Sequence, residues 1–140
     1  MSSDLSVDTA NALLQANFAP WVLSLKPVVT QTASDSAHLL MPFDGGLNRE
    51  GGIVSGQALM ALADTAMVVA VFAAMGEFCP VATVNMNTTF MRGAKESDVL
   101  AKAKIAKKGR ALTFVNVDLI TTSDERLVCQ ASGSYAMPRT

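Results

Sequence analysis

The stretch from Ile53 to Met75 is apolar almost throughout and contains one charged residue, Asp64. Its length and composition predict one long helix, apolar on all sides, which a small domain must bury. Burying a lone carboxylate is costly unless the group is paired, hydrogen-bonded or protonated. A carboxylate in such a helix, near a surface cleft, is therefore a candidate base or nucleophile. From this helix alone, a structural carboxylate satisfied by backbone groups or by a subunit contact is the alternative.

The same run is long enough to cross a bilayer of about 30 Å. Asp64 near its centre opposes insertion, because an ionised aspartate there costs roughly 2.5–3.5 kcal/mol. The run is also rich in Ala and Met rather than in Leu, Ile and Phe, and its flanks carry no strong positive bias. We therefore expect a buried core helix over residues 55–75 and no membrane partner. The first residues lack the basic start and apolar core of a signal peptide.

Composition narrows the class of protein. A chain of 140 residues, 50% hydrophobic and with a formal charge of -1, is expected to form one domain, residues 1–140. The chain lacks the excess of basic residues that would indicate a nucleic-acid partner. Cys79 and Cys129 lack metal-ligand spacing and are expected to be buried thiols in a reducing compartment, the cytoplasm. The single histidine, His38, excludes a His-rich metal site and has the setting of an ordinary strand residue, so no metal is predicted.

The remaining segments predict one more helix and an antiparallel sheet. A short amphipathic helix is expected over residues 7–19, after which Pro20 and Pro27 break the pattern. A glycine-dense loop covers residues 44–52, and residues 107–110 have the length of a hairpin turn, with Gly109 available for positive φ. Such a sheet can bury one face against the long helix, which gives a two-layer α+β domain, and a second subunit is expected to cover the rest of the helix. The expected strands are 28–32, 37–41, 81–92, 99–105, 112–122 and 127–137.

The segment Gly51–Ala66 resembles the helix motif of hot-dog-fold thioesterases of the phenylacetate-degradation (PaaI) type, in which a Gly-x-x-His-Gly-Gly turn precedes Leu-Ala-Asp within the helix. Residues 83–92, Gly109–Arg110 and the closing residues 135–138 are also similar to that family, so that the resemblance spans residues 44–138. It implies a hot-dog fold, an antiparallel sheet wrapped around one long central helix, in a homodimer or a dimer of dimers (a homotetramer). It further implies hydrolysis of a small or medium acyl- or aryl-CoA without a cofactor, coenzyme A being part of the substrate.

By position, the resemblance makes Asp64 the general base or nucleophile and the Gly56 backbone N–H the oxyanion donor. The first N–H groups of a helix lack intrahelical partners and carry partial positive charge, which suits the role of Gly56. At about 1.5 Å per residue, the separation of Gly56 and Asp64 along the helix is about 12 Å. One thioester carbonyl cannot contact both groups in a single chain, so we expect Gly56 of one subunit to face Asp64 of its partner.

The chain departs from the family's pattern around the start of this helix. Ser55 stands in place of the motif histidine, and Gln57 in place of the second motif glycine. Ser55 is expected to be the helix N-cap, and it is a poor nucleophile because no histidine or lysine base is near it in sequence. The family's Asn or Gln that orients the thioester falls at Arg49, with Asn48 one residue away, so either residue could take that role.

Further residues are expected to position the reacting groups or to hold the substrate. The Ser or Thr that the family places on the strand after the helix fits Thr83 best, with Asn85 as second choice. Basic residues at strand ends and turns suit the phosphates of coenzyme A, Arg110 foremost, although solvated surface charge is the alternative. The expected substrate-binding residues are Ser55, Gln57, Asn85, Arg92, Lys107, Lys108, Gly109 and Arg110, with an adaptable acyl pocket formed by Leu59, Met60, Met67 and Phe90.

Two other functions fit a similar pattern. Hot-dog dehydratases and hydratases pair a histidine with a carboxylate, and His38 is in the wrong place to partner Asp64. A non-catalytic acyl-CoA-binding or sensing protein would keep the pocket but lose hydrolysis, and the missing motif histidine and displaced asparagine permit this. Of these hypotheses, thioester hydrolysis is the one that gives a role to both the Asp64 carboxylate and the Gly56 N–H at the helix start.

Overall fold

The computed structural model describes residues 5–139. Six strands form one antiparallel sheet in the order β1-β2-β6-β7-β8-β5, and β3 and β4 form a small separate hairpin before the long helix. The helices are α1 (Val7–Asn17), α2 (Pro20–Leu23) and α3 (Gly56–Met75), and the strands are β1 (Val28–Ala33), β2 (Ser36–Met41), β3 (Asn48–Arg49), β4 (Ile53–Val54), β5 (Ala82–Phe90), β6 (Val99–Lys108), β7 (Leu112–Thr121) and β8 (Arg126–Ala136).

The ends of α3 are set by local sequence. The Ser55 hydroxyl accepts a hydrogen bond from the Ala58 N–H at 3.3 Å, so Ser55 is the N-cap, as expected. At the other end Gly76 has φ of +75°, and its N–H donates to the Phe72 carbonyl at 2.8 Å. This left-handed glycine closes the helix in the usual way. The prediction of one long helix over residues 55–75 is confirmed.

The sheet packs one face on α3. Small and branched side chains alternate inward along the central strands, for example Ala101 and Ala103 of β6 and Val117 and Leu119 of β7. Although α3 is long and apolar enough to cross a membrane, 67% of its most apolar window is buried inside the domain. It is therefore the core helix of an α+β domain, and the predicted fold class is confirmed.

Two turns differ from the sequence-based expectation. The first helix ends at Asn17 rather than at residue 19, and Pro20 starts the short helix α2 instead of only breaking the pattern. Proline is well tolerated at the first helical position because its missing N–H would have no partner there. Gly109, which the sequence made available for a positive φ, does not adopt one. A Cβ at Gly109 would lie 2.2 Å from the Leu112 carbonyl oxygen, so this position needs glycine for space.

Candidate active site

The carboxylate of Asp64 is held by two hydroxyl groups from the sheet. Its Oδ1 accepts a hydrogen bond from the Tyr135 phenol at 2.8 Å and another from the Thr83 hydroxyl at 3.3 Å. Thr83 of β5 and Tyr135 of β8 are paired across the strands, so the register of the sheet brings both hydroxyls to the same point. No ion pair to Asp64 is formed within residues 5–139. The lone charge of the helix is thus satisfied by neutral donors.

The two oxygens of this carboxylate have different surroundings. Both hydrogen bonds go to Oδ1, and Oδ2 accepts none from the described part of the chain. An ionised carboxylate is acceptor-only, with room for several donors on its two oxygens. Asp64 is only partly buried, so Oδ2 remains available for a proton or for a substrate atom.

Tyr135 is the residue beside Asp64 that sequence reasoning missed. The side chain is fully buried, and burial together with the charge and hydrogen bond of Asp64 raises the pKa of the phenol far above its ordinary value. The group therefore stays protonated and acts as a donor. A usable signal was present in the sequence, because a buried tyrosine needs a partner for its O–H and Asp64 is the one carboxylate of the core helix.

Gly56 lies at the start of α3 and borders a groove of about 400 Å³. Within the described residues its N–H has no partner outside the helix, and the first residue of a helix has none inside it. The Phe90 ring passes 3.4 Å from the position of a Cβ on Gly56. Several predicted residues meet in this groove, which is lined by Arg49, Ile53, Val54, Gly56, Leu59, Phe90, Met91, Arg92 and Gly93.

The two candidates for orienting the thioester carbonyl are placed differently. Arg49 lines the Gly56 groove, where its guanidinium donates at 2.8 Å to the Glu50 carboxylate. Asn48 does not line that groove, and its side-chain oxygen is buried without a hydrogen-bond partner among the described residues. Of the two, Arg49 is the one that shares a groove with Gly56.

The other predicted residues divide between several places. Asn85 pairs with Ser134 rather than with Tyr135, so its side chain projects from the opposite face of the sheet to Thr83 and does not meet Asp64. Lys108 donates to the Ala74 carbonyl at 3.4 Å, at the far end of α3.

Arg110 borders a separate groove of about 620 Å³ together with Arg139. Gly109 lies in the turn between β6 and β7, and its N–H donates to the Thr113 hydroxyl at 3.4 Å. Met67 is fully buried, with its methyl group near Gly133, so the expectation that it lines an open acyl pocket is wrong. Met60 is 42% exposed.

One face of α3 is left open by its own domain. Between residues 56 and 73, six residues of the helix are not buried by the domain, and the rest are buried. The open positions recur at the spacing of one helix face, so Gly56 and Asp64 lie on the same stripe. This stripe consists of Gly56, Gln57, Met60, Ala61, Asp64 and Val68.

The fold and the residues that carry it match one family of proteins. The sequence profile of the thioesterase superfamily matches residues 51–129, more than half of the chain. The crystal structure of zebra fish thioesterase superfamily member 2 has a TM-score of 0.85 at 27% identity, over 96% of this chain and 100% of that one. A Haemophilus influenzae thioesterase, at 21% identity, has the same fold with a TM-score of 0.84, over 96% of this chain and 91% of that one.

A protein of Thermoplasma acidophilum is 27% identical to this chain over 111 residues, which is 79% of this chain and 83% of that protein. Its name assigns it provisionally to the esterases. The architecture, one long central helix against a six-stranded antiparallel sheet, is the hot-dog fold. The chain belongs to the thioesterase superfamily.

Proposed function

We propose that this protein is an acyl-CoA thioesterase of the phenylacetate-degradation type, acting on a small or medium acyl or aryl group. One observation carries the proposal. A carboxylate with one free oxygen, Asp64 Oδ2, lies on the same open face of α3 as the unpartnered N–H of Gly56. These are the two groups that thioester hydrolysis needs, a base or nucleophile and a donor for the developing oxyanion.

The reaction adds water across the thioester bond and gives a carboxylic acid and the free thiol of coenzyme A. In one route Asp64 takes a proton from the attacking water, which displaces the coenzyme A thiolate. In the other, Asp64 attacks the carbonyl carbon itself, the carbon–sulfur bond breaks to release the thiolate, and water then hydrolyses the anhydride. Both routes use Oδ2, and in both the proton released from water ends on the thiolate. The Gly56 N–H stabilises the oxyanion formed in either route, helped by the partial positive charge at the start of α3. Thr83 holds Oδ1 in both cases.

The site is completed by a second copy of the chain. Gly56 and Asp64 are about 12 Å apart along the helix, so they act on one carbonyl only if they come from different subunits. A two-fold axis that brings Gly56 of one helix to Asp64 of the other passes near Met60, which lies halfway between them and is 42% exposed. The edge strand β5 lies open next to this face, with Val84 60% exposed. We infer a homodimer with two shared sites, assembled further into a dimer of dimers.

Arg92 is the residue best placed to bind the phosphates of coenzyme A, because it lines the same groove as Gly56. Lys108 and Arg110 lie towards the other end of α3 and would contact coenzyme A only from a neighbouring subunit. The buried free thiols of Cys79 and Cys129 suit a reducing compartment, and we propose the cytoplasm.

Free-thiol release from a panel of aliphatic and aromatic acyl-CoAs tests the proposal. Asp64→Asn should lower turnover by at least about a hundredfold, because general-base catalysis contributes at least that much. The fold and acyl-CoA binding should persist, since the amide still accepts a hydrogen bond. Asp118→Asn is the matched control, because the only side-chain hydrogen bond of this exposed aspartate of β7 within residues 5–139 comes from Gln130, and the variant should keep wild-type activity.

Three outcomes would count against the proposal. Wild-type protein that binds acyl-CoAs but releases no thiol would be a binding or sensing protein. Asp64→Asn that turns over its best thioester as fast as wild type would remove Asp64 from the mechanism. A variant that fails to fold, by circular dichroism, would favour a structural carboxylate.

A further inference from the structure

We propose that Tyr135 is a positioning residue for Asp64: its phenol fixes Oδ1 of the carboxylate from strand β8 and thereby reserves Oδ2 for the reaction. The inference rests on the proposed thioesterase function and deepens it, since it names the residue that sets the orientation of the reacting group. Tyr135 acts only through Asp64 and contacts neither the substrate nor coenzyme A.

The geometry of the hydrogen bonds favours Tyr135 over Thr83 as the main support. The phenol oxygen lies 2.8 Å from Oδ1, whereas the Thr83 hydroxyl lies 3.3 Å away. Tyr135 is fully buried, while Thr83 is exposed on the edge strand β5. A hydrogen bond to a charged group is stronger when it is short and shielded from water. The Tyr135 contact therefore holds the carboxylate even before a second subunit covers β5.

A second observation, independent of the hydrogen bond, concerns Gly133. A Cβ at this position would lie 2.8 Å from Cε2 of Tyr135, 3.0 Å from its phenol oxygen and 3.1 Å from the methyl carbon of Met67. Glycine weakens the interior of a strand and often marks a place where another group approaches closely. Here the missing side chain leaves the space in which the Tyr135 ring reaches Asp64.

Few other groups compete for control of this carboxylate. Strand β5 carries no charged residue, α1 carries only Asp8 in its first turn, and β8 carries only Arg126 at its start. Lys102, Lys104 and Lys107 of β6, Asp118 of β7 and the imidazole of His38 project from the face of the sheet that turns away from α3. Lys108, the last residue of β6, does turn towards α3, but it donates to the Ala74 carbonyl at the C-terminal end of that helix. Within residues 5–139, Tyr135 is thus the one titratable side chain that contacts Asp64.

The chemistry of the phenol suits a permanent donor. Burial, the charge of Asp64 and the hydrogen bond raise the pKa of Tyr135 well beyond the range in which enzymes are assayed. The phenol therefore keeps its proton at every working pH and donates it to the carboxylate. Loss of this donor should leave Oδ1 with only the longer contact to Thr83, so that the carboxylate is held less firmly in its reacting orientation.

The experiment compares Tyr135→Phe with wild type in the dimer, using the best acyl-CoA from the panel. The expected result is that kcat falls about tenfold with KM little changed. Thr121→Val is the control, since it loses the buried hydroxyl that donates to Asp124, far from Asp64. It should lower Tm while leaving kcat in place.

Gly133→Ala provides a second route to the same result. The added methyl group displaces the Tyr135 ring and should lower kcat with KM little changed, as Tyr135→Phe does. Combined with Tyr135→Phe it should lower kcat no further than Tyr135→Phe alone, because both changes remove one interaction. Fully additive losses of kcat would overturn the role given to Gly133 and Tyr135 as a unit.

A measurement without turnover separates this inference from the function on which it rests. The ¹³C resonance of the Asp64 carboxyl carbon, recorded by NMR at one neutral pH, should differ between Tyr135→Phe and wild type because the hydrogen bond to Oδ1 is lost, and it should keep its position in Thr121→Val. Wild type that releases no thiol, with this difference present, would defeat the proposed function alone. Active wild type, with an unchanged resonance and an unchanged kcat in Tyr135→Phe, would defeat the positioning role alone.

Discussion

Ser55, which replaces the histidine of the family's motif, caps α3 in this chain. Its hydroxyl accepts the Ala58 N–H at 3.3 Å, which satisfies one of the free donors at the helix start. Ser55→Ala should therefore cost about 1 kcal/mol of unfolding free energy, with only a modest loss of rate. Urea denaturation and thiol release measure the two effects, with Ser34→Ala on the exposed β1–β2 turn as the neutral control. A thousandfold fall in rate, with an acyl-serine seen by mass spectrometry, would make Ser55 the nucleophile instead.

Single residues were predictable where chemistry alone singles them out. Asp64 is conspicuous as the one charge of an apolar helix, and it does lie at a hydrogen-bonded site. The choice between Thr83 and Asn85 could not be settled, because period-two alternation places both on one face. A register shift between these two residues turns Asn85 to the other face, and nothing in a single sequence announces such a bulge.

At the scale of elements, the β6–β7 hairpin depends on Gly109 for a reason that the sequence did not suggest. A Cβ there would lie 2.2 Å from the Leu112 carbonyl oxygen, so the backbone itself would have to move. Gly109→Ala should therefore lower the unfolding free energy by about 1–3 kcal/mol, the usual cost of forced overpacking. Chemical denaturation of the purified variant measures this loss.

Gly45→Ala is the matched control for Gly109→Ala. Nothing lies within 4 Å of a Cβ at Gly45, and its φ is not positive. It should be neutral or slightly stabilising, because alanine restricts the unfolded chain. Equal stability of the two variants would show that the close approach at Gly109 is relieved at no cost.

The elements themselves were largely readable from the sequence, since period and composition separate helix from strand. The long helix and the strands after it follow the predicted order, and the bounds differ by a few residues. The exceptions lie at turns. Pro20 starts a helix, and Gly109 provides space rather than a positive φ. Both depend on contacts between segments, which local patterns do not encode.

For the whole molecule, the decisive question is whether one site is shared by two chains. A test needs a variant that removes the Gly56 N–H and still folds. Gly56→Pro should meet this condition, because proline is favoured at the first position of a helix. Ser55 already has the extended backbone, with φ of -64° and ψ of 148°, that a residue before proline prefers. The Phe90 ring at 3.4 Å from the Cβ position leaves ordinary contact distance.

Mixing two inactive variants should then restore activity. Asp64→Asn and Gly56→Pro homodimers each lack one of the two groups at both sites. After dissociation and random reassociation, about half the dimers are hetero, and each carries one site with both lesions and one with neither. Activity should return to roughly a quarter of the wild-type value by thiol release, if subunits combine at random. Gly56→Ala, which keeps the N–H, serves as the folding control. If both variants fold and native mass spectrometry detects the heterodimer, yet the mixture stays inactive, Gly56 and Asp64 do not act across the subunit contact.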